Sequence, residues 1–102
     1  MDILFSVTTP LRYTIHTTKE YWQYLVKIKH PCMAKKEKIV KEILKSPDKI
    51  YKSILDNTVH LYYRKIERLY CVIAKHNTPK EGFLITAYPA DKIKEGEIIW
   101  TR

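Results

Sequence analysis

Three runs of strand-forming residues in the last half of the chain constrain its fold more than any other feature. They are Val59 to Lys65, Leu69 to His76 and Phe83 to Tyr88. Each alternates, and each is rich in β-branched and aromatic side chains, which suit a pleated, half-buried surface. The joining segments, Lys65 to Arg68 and Asn77 to Gly82, are too short for a crossover, so the three runs must pair antiparallel. Further strands are expected at Ile3 to Val7, Leu11 to His16, Ile50 to Ile54 and Glu97 to Trp100, with a helical turn over Asp91 to Gly96.

Two helices separate the first strands from the meander. Thr17 and Glu20 stand at capping-box spacing, and Tyr21, Leu25 and Ile28 then line one helical face. Pro31 stops that helix at His30, because the residue before a proline is pushed away from helical angles. A second helix over about Ala34 to Lys45 carries the apolar stripe Val40, Ile43 and Leu44, with Ile39 beside it. Ser46-Pro47-Asp48 ends it. The expected fold is α+β, with N-terminal helices packed on one face of a three- to four-stranded antiparallel sheet. Alternation suggests Val59, Leu61 and Tyr63 as core, and Phe83, Ile85 and Ala87 likewise. His60, Tyr62, Arg64, Thr86 and Tyr88 would then look outward from an open face.

At 102 residues, with 45% apolar residues, there is material for one modest core in a single domain, residues 1–102. The net charge of +8, from 19 basic and 11 acidic residues, favours a polyanionic partner, RNA in particular. Cys32 and Cys71 have neither disulfide-framework nor metal-ligand spacing, which fits reduced thiols in the cytoplasm. No signal peptide and no apolar run of membrane-spanning length is readable, so no membrane partner is expected.

The carboxylates are scattered among turns and the four histidines lack ligand spacing, so no metal and no cofactor is expected. RNA can be cleaved without either, given a base for the 2′-OH proton, an acid for the leaving oxygen and donors around the phosphorane. The candidates are His30 for proton transfer, Arg64 and Lys75 as phosphate clamps, and Thr86 as a donor. Tyr62, Tyr63 and Tyr88 are candidate base-stacking platforms, and Lys35 and Lys38 candidate RNA-binding cations. Each has a plainer reading. His30 is also what a helix end accepts, Arg64 and Lys75 are also surface charges, and Thr86 is a strand former. A lysine-rich helix face is commonly just solvated.

The segments Lys29-His30-Pro31-x-Met33, Ser46-Pro47-Asp48-x-Ile50, Leu61-Tyr62-Tyr63-Arg64 and Gly82-Phe83-Leu84-Ile85-Thr86-Ala87-Tyr88-Pro89 occur in an order that resembles the barnase–EndoU–colicin–RelE superfamily. The likeness runs from about Thr14 to Trp100 and is nearest to its bacterial, phage-associated, RelE-like toxin members. It implies helices on a four-stranded antiparallel sheet and metal-independent endoribonuclease chemistry, a hydrolase of toxin–antitoxin type leaving a 2′,3′-cyclic phosphate. It also implies a small acidic antitoxin protein as partner. By position it gives His30 the helix histidine's role, Arg64 with Tyr63 the central strand's polar place, Lys75 the next strand's basic place, and Thr86 with Tyr88 the hydroxyl-bearing last strand. EndoU-type members carry a second essential histidine, and none of His16, His60 and His76 clearly stands at its place. The competing readings are a nucleic-acid-binding module on the same fold that does not cleave, and a small interaction protein that is basic by chance.

Overall fold

The computed structural model describes residues 2–94 and 96–102. Its strands are β1 (Ile3–Thr8), β2 (Thr14–Thr18), β3 (Lys49–Ser53), β4 (Val59–Ile66), β5 (Arg68–His76), β6 (Glu81–Pro89) and β7 (Gly96–Thr101); its helices are α1 (Lys19–Tyr24) and α2 (Glu37–Lys45). All seven strands belong to one mixed sheet, in the order β1-β2-β6-β5-β4-β3-β7. The expected meander is its centre, β4 to β6, paired antiparallel.

The expected architecture, helices on a three- to four-stranded antiparallel sheet, is incorrect. The meander is extended on both sides. β2 adds to β6 in parallel, through Thr14–Glu81, Ile15–Gly82 and His16–Phe83, and brings β1 with it. β3 adds to β4, and β7 to β3. Local alternation identifies strands but not their partners, and these additions join segments remote in sequence. The helical content is small: α1 has six residues and α2 nine. No helical turn forms over Asp91 to Lys94, and Glu95 lies outside the described residues.

Thr18, not Thr17, caps α1, its Oγ1 accepting from the Tyr21 N–H at 3.0 Å. α1 runs on into a π-helical turn, Leu25–Lys29, and a 3₁₀ turn, Pro31–Met33, follows His30. The sheet curls so that the β1–β2 turn lies over the central strands: Tyr62 OH donates to Thr9 Oγ1 at 3.2 Å, and Tyr13 stacks on His76 at 3.7 Å. The main core fills this curl. It joins Phe5, Ile15, Trp22, Leu25 and Met33 to the expected α2 stripe Val40, Ile43 and Leu44, and to Ile50, Tyr62, Val72, Leu84 and Ala87.

Leu61 and Tyr63 of β4 are buried as alternation expects, but His60 and Tyr62 on the face expected to be open are buried too. Tyr62 enters the main core, while Leu61 and Tyr63 join Cys71 and Ala90 in a smaller cluster on the other face. A tyrosine at either parity leaves the pattern ambiguous, and the curl settles it by giving the Tyr62 hydroxyl a partner inside. In β6 the alternation is broken outright. Leu84 pairs with Ala74 and Thr86 with Ile73, so Ile85 is the extra residue of a bulge, and Leu84 and Ala87 reach the same core.

Candidate functional site

β2 covers only the first residues of β6. Beyond Phe83 the edge of β6 is covered by the helical segment instead. Tyr21 OH donates to the bulge carbonyl of Ile85 at 2.5 Å, and Lys29 Nζ reaches the same oxygen at 3.5 Å. π-helical turns recur where a helix is distorted for function, and this one ends on His30. The His30 N–H donates to the Leu25 carbonyl at 2.8 Å, and its own carbonyl accepts from Met33 N–H at 2.9 Å. With Pro31 next, the backbone of His30 is held from both sides.

That anchoring brings the His30 ring against Tyr88, with centroids 5.2 Å apart and planes at 28°. His30 stays partly exposed. Burial, and then the Lys29 ammonium beside it, lower its pKa below the usual 6.5, so the imidazole is neutral at pH 7 with a lone pair to accept a proton. Lys94 approaches the same tyrosine, its Nζ 5.3 Å from the ring centroid. His30, Tyr88, Lys29 and Lys94 therefore form one assembly at the rim of the smaller cluster.

The other candidates fare differently. Thr86 lies beside Tyr88 on the strand, two residues away and on the same face, but its Oγ1 is covered and has no hydrogen-bond partner; neither does the Tyr88 hydroxyl. Burial, then Cys71, push the Tyr88 phenol well above its usual range. Tyr63 is 1% exposed, which removes it as a stacking platform. Its hydroxyl accepts from the Lys94 N–H at 3.0 Å, and burial raises its pKa to about 12. Cys71 beneath is pushed up to about 11, chiefly by burial, and is no thiolate.

Arg64 points to the opposite face. Its guanidinium donates to the Ser46 carbonyl at 2.7 Å and to Glu42 at 3.2 Å, closing the end of α2. Lys75 shares the Tyr88 face but pairs with Asp56 at 3.6 Å. It is four residues along β5 from Cys71, the partner of Tyr88, or about 13 Å at the usual strand rise. A pocket of His30, Arg64, Lys75 and Thr86 together is thus not assembled. Sequence parity placed Arg64 on the wrong face, and no sequence signal opposed it. Lys35 is exposed on a left-handed residue (φ 65°) after the 3₁₀ turn, and Lys38 is exposed on α2.

Sequence reasoning missed two groups. Lys29 adjoins His30 and could have been found; Lys94 is placed only by the return of the chain after β6. The second miss is a buried ring stack. His76 lies between Tyr13 and His60, at 3.7 and 3.8 Å, with Tyr62 OH 3.0 Å from its Nε2. The Nδ1 atoms of both histidines are buried without partners.

Among the described residues no group of three or more His, Cys, Asp or Glu side chains could hold a metal ion, and no helix is long and apolar enough to cross a membrane. No family model, no curated protein and no solved structure matches the chain.

Proposed function

We propose that this chain is an RNA-directed domain that cleaves RNA without a metal, His30 serving as the proton-transfer residue. The observation that carries the reading is a neutral, partly exposed imidazole fixed against Tyr88 inside the most basic stretch of the chain. Lys27 to Lys45 contains seven lysines and two glutamates, a net +5 of the chain's +8. His30 would take the 2′-OH proton, and the alkoxide would attack the adjacent phosphate, expelling the 5′-oxygen, which takes a proton from solvent, and leaving a 2′,3′-cyclic phosphate. The ammonium groups of Lys29 and Lys94, both close to the histidine–tyrosine pair, would oppose the charge growing on the phosphorane. Arg64 has no part in this chemistry. The reading includes a cytoplasmic setting, where both thiols stay reduced, and the resemblance adds an acidic antitoxin protein as a candidate partner.

A second reading, RNA binding without cleavage, is favoured by the ion pairs that occupy Arg64 and Lys75. One experiment separates the two. Purified protein is incubated with total RNA and with ribosomes, in chelator, beside the His30→Ala variant. Cleavage should fall by about 10²–10⁴ in the variant. It should also fall in the parent as pH drops through the lowered His30 pKa, because protonation removes the base. Binding with no turnover leaves the second reading standing. Absence of RNA binding at low salt removes both.

A further inference from the structure

A groove of about 740 Å³, whose lining does not include His30, lies between the edge strand β1, over Leu4 to Thr8, and Lys38, Lys41, Glu42 and Lys45 of α2. Resting on the RNA-directed reading above, we propose that this groove seats the sugar–phosphate backbone of single-stranded RNA, as a second contact separate from the His30 centre.

Three observations meet there. Lys38, Lys41 and Lys45 are spaced three and four residues apart, so their ammonium groups form a row on one side of α2. The row spans about 10 Å of helix rise. The groove's carboxylate, Glu42, is already engaged by Arg64 at 3.2 Å, and Arg64 is itself tied to the Ser46 carbonyl. The positive potential of the row is thereby left uncompensated within the groove. The opposite wall is the outermost strand of the sheet, with Ser6 and Thr8 exposed. Its outer backbone edge and the Ser6 hydroxyl offer hydrogen bonds to phosphate and ribose oxygens, the Thr8 Oγ1 being shared with Thr14 Oγ1 at 3.2 Å. No exposed aromatic ring lines the groove, so backbone contact without base stacking fits it. In this arrangement Arg64 acts as a positioning residue that masks an acidic group.

The test is fluorescence anisotropy with a labelled single-stranded RNA oligonucleotide across a salt series. It compares the parent with K38Q/K41Q/K45Q and with K49Q/K65Q/K80Q, which removes equal charge elsewhere; all six lysines are exposed, so folding is not threatened. The groove variant should bind at least about tenfold more weakly at low salt, and its log–log salt slope should shrink by about 2, three contacts at roughly 0.7 each. The control should lose far less. Cleavage of long RNA should fall more in the groove variant than in the control. Equal losses in the two variants, or none in the groove variant, overturn the groove and leave the His30 reading intact. A parent that binds no RNA overturns both. Should the groove bind polyglutamate but not RNA, with loss in the same variant, the surface belongs to an acidic protein segment and the proposal also fails.

Discussion

Acid should loosen this fold from within, starting at the His76 stack. His76 is 6% exposed, sandwiched between Tyr13 and His60, and burial followed by the neighbouring His60 lowers its pKa from 6.5 to about 4. His60 is lowered too, by burial first and with Lys52 adding to it. Tyr62 gives its proton to Thr9 Oγ1, which leaves the His76 Nε2 to carry the ring proton and Nδ1 bare. The groups facing the stack are Tyr13 and Thr9 from the β1–β2 turn, His60 and Tyr62 from β4, and the Lys52 charge from β3. None of them carries a negative charge to offset the burial of a cation. Between about pH 6.5 and pH 4 the unfolded chain binds the proton and the folded one does not, so stability is complete above that window and is lost as pH falls through it. A depression of this size corresponds to at most about 3 kcal/mol for His76. Urea unfolding between pH 7 and pH 4 measures it. His76→Phe keeps a ring between Tyr13 and His60 but does not titrate. The variant should start about 1 kcal/mol less stable at pH 7, for the lost hydrogen bond, and then lose much less on acidification. Asp56, held below its ordinary range by Thr58, acts only at still lower pH. A parent whose midpoint is flat across the window, or a variant as acid-labile as the parent, would refute the reasoning.

Two further outcomes follow from packing. A Cβ on Gly82 would lie 2.1 Å from the Lys75 carbonyl oxygen on β5 and 3.0 Å from Ile15 Cδ1 on β2, so Gly82→Ala should push the start of β6 away from β5 and cost more than about 2 kcal/mol by denaturant unfolding. The buried Tyr88 hydroxyl has no partner whereas that of Tyr62 has two, so Tyr88→Phe should be neutral or stabilising and Tyr62→Phe should cost about 1 kcal/mol, compared by thermal melts.

Much of the strand inventory was legible in the sequence because alternation is a local property: β4, β5 and β6 lie close to their expected limits, and the α2 stripe is buried as its period requires. The pairing of β2 with β6, and of β3 with β7, is not local, and no turn chemistry announces it. The bulge at Ile85 was illegible for the same reason, since the extra residue is defined only against its partner on β5. At the site, the His-Pro step correctly marked His30 as a held residue at a helix end. Arg64 and Lys75 were misread because a cation on a strand looks the same whether it meets phosphate or carboxylate. Glu42 and Asp56, their partners, come from elements whose docking the sequence does not encode in its periodicity.

The shared edge of β6 carries a consequence for how the molecule comes into being. Its first half needs β2 and its second half needs the segment that holds His30, so both ends of the early chain wait for one late strand. A chain emerging in order from a ribosome can form the β1–β2 hairpin early and lay α2 on β1, β4 and β5, but β2 has no strand to join on its other side until residues 81–89 have been made. Closing so long a loop delays folding, as high contact order does generally. Until then His30 has no Tyr88 to stack on, and its imidazole is an ordinary solvated one. The candidate centre therefore switches on with the last steps of folding, and a truncated or stalled chain ending before β6 would carry the histidine and the lysines without the site.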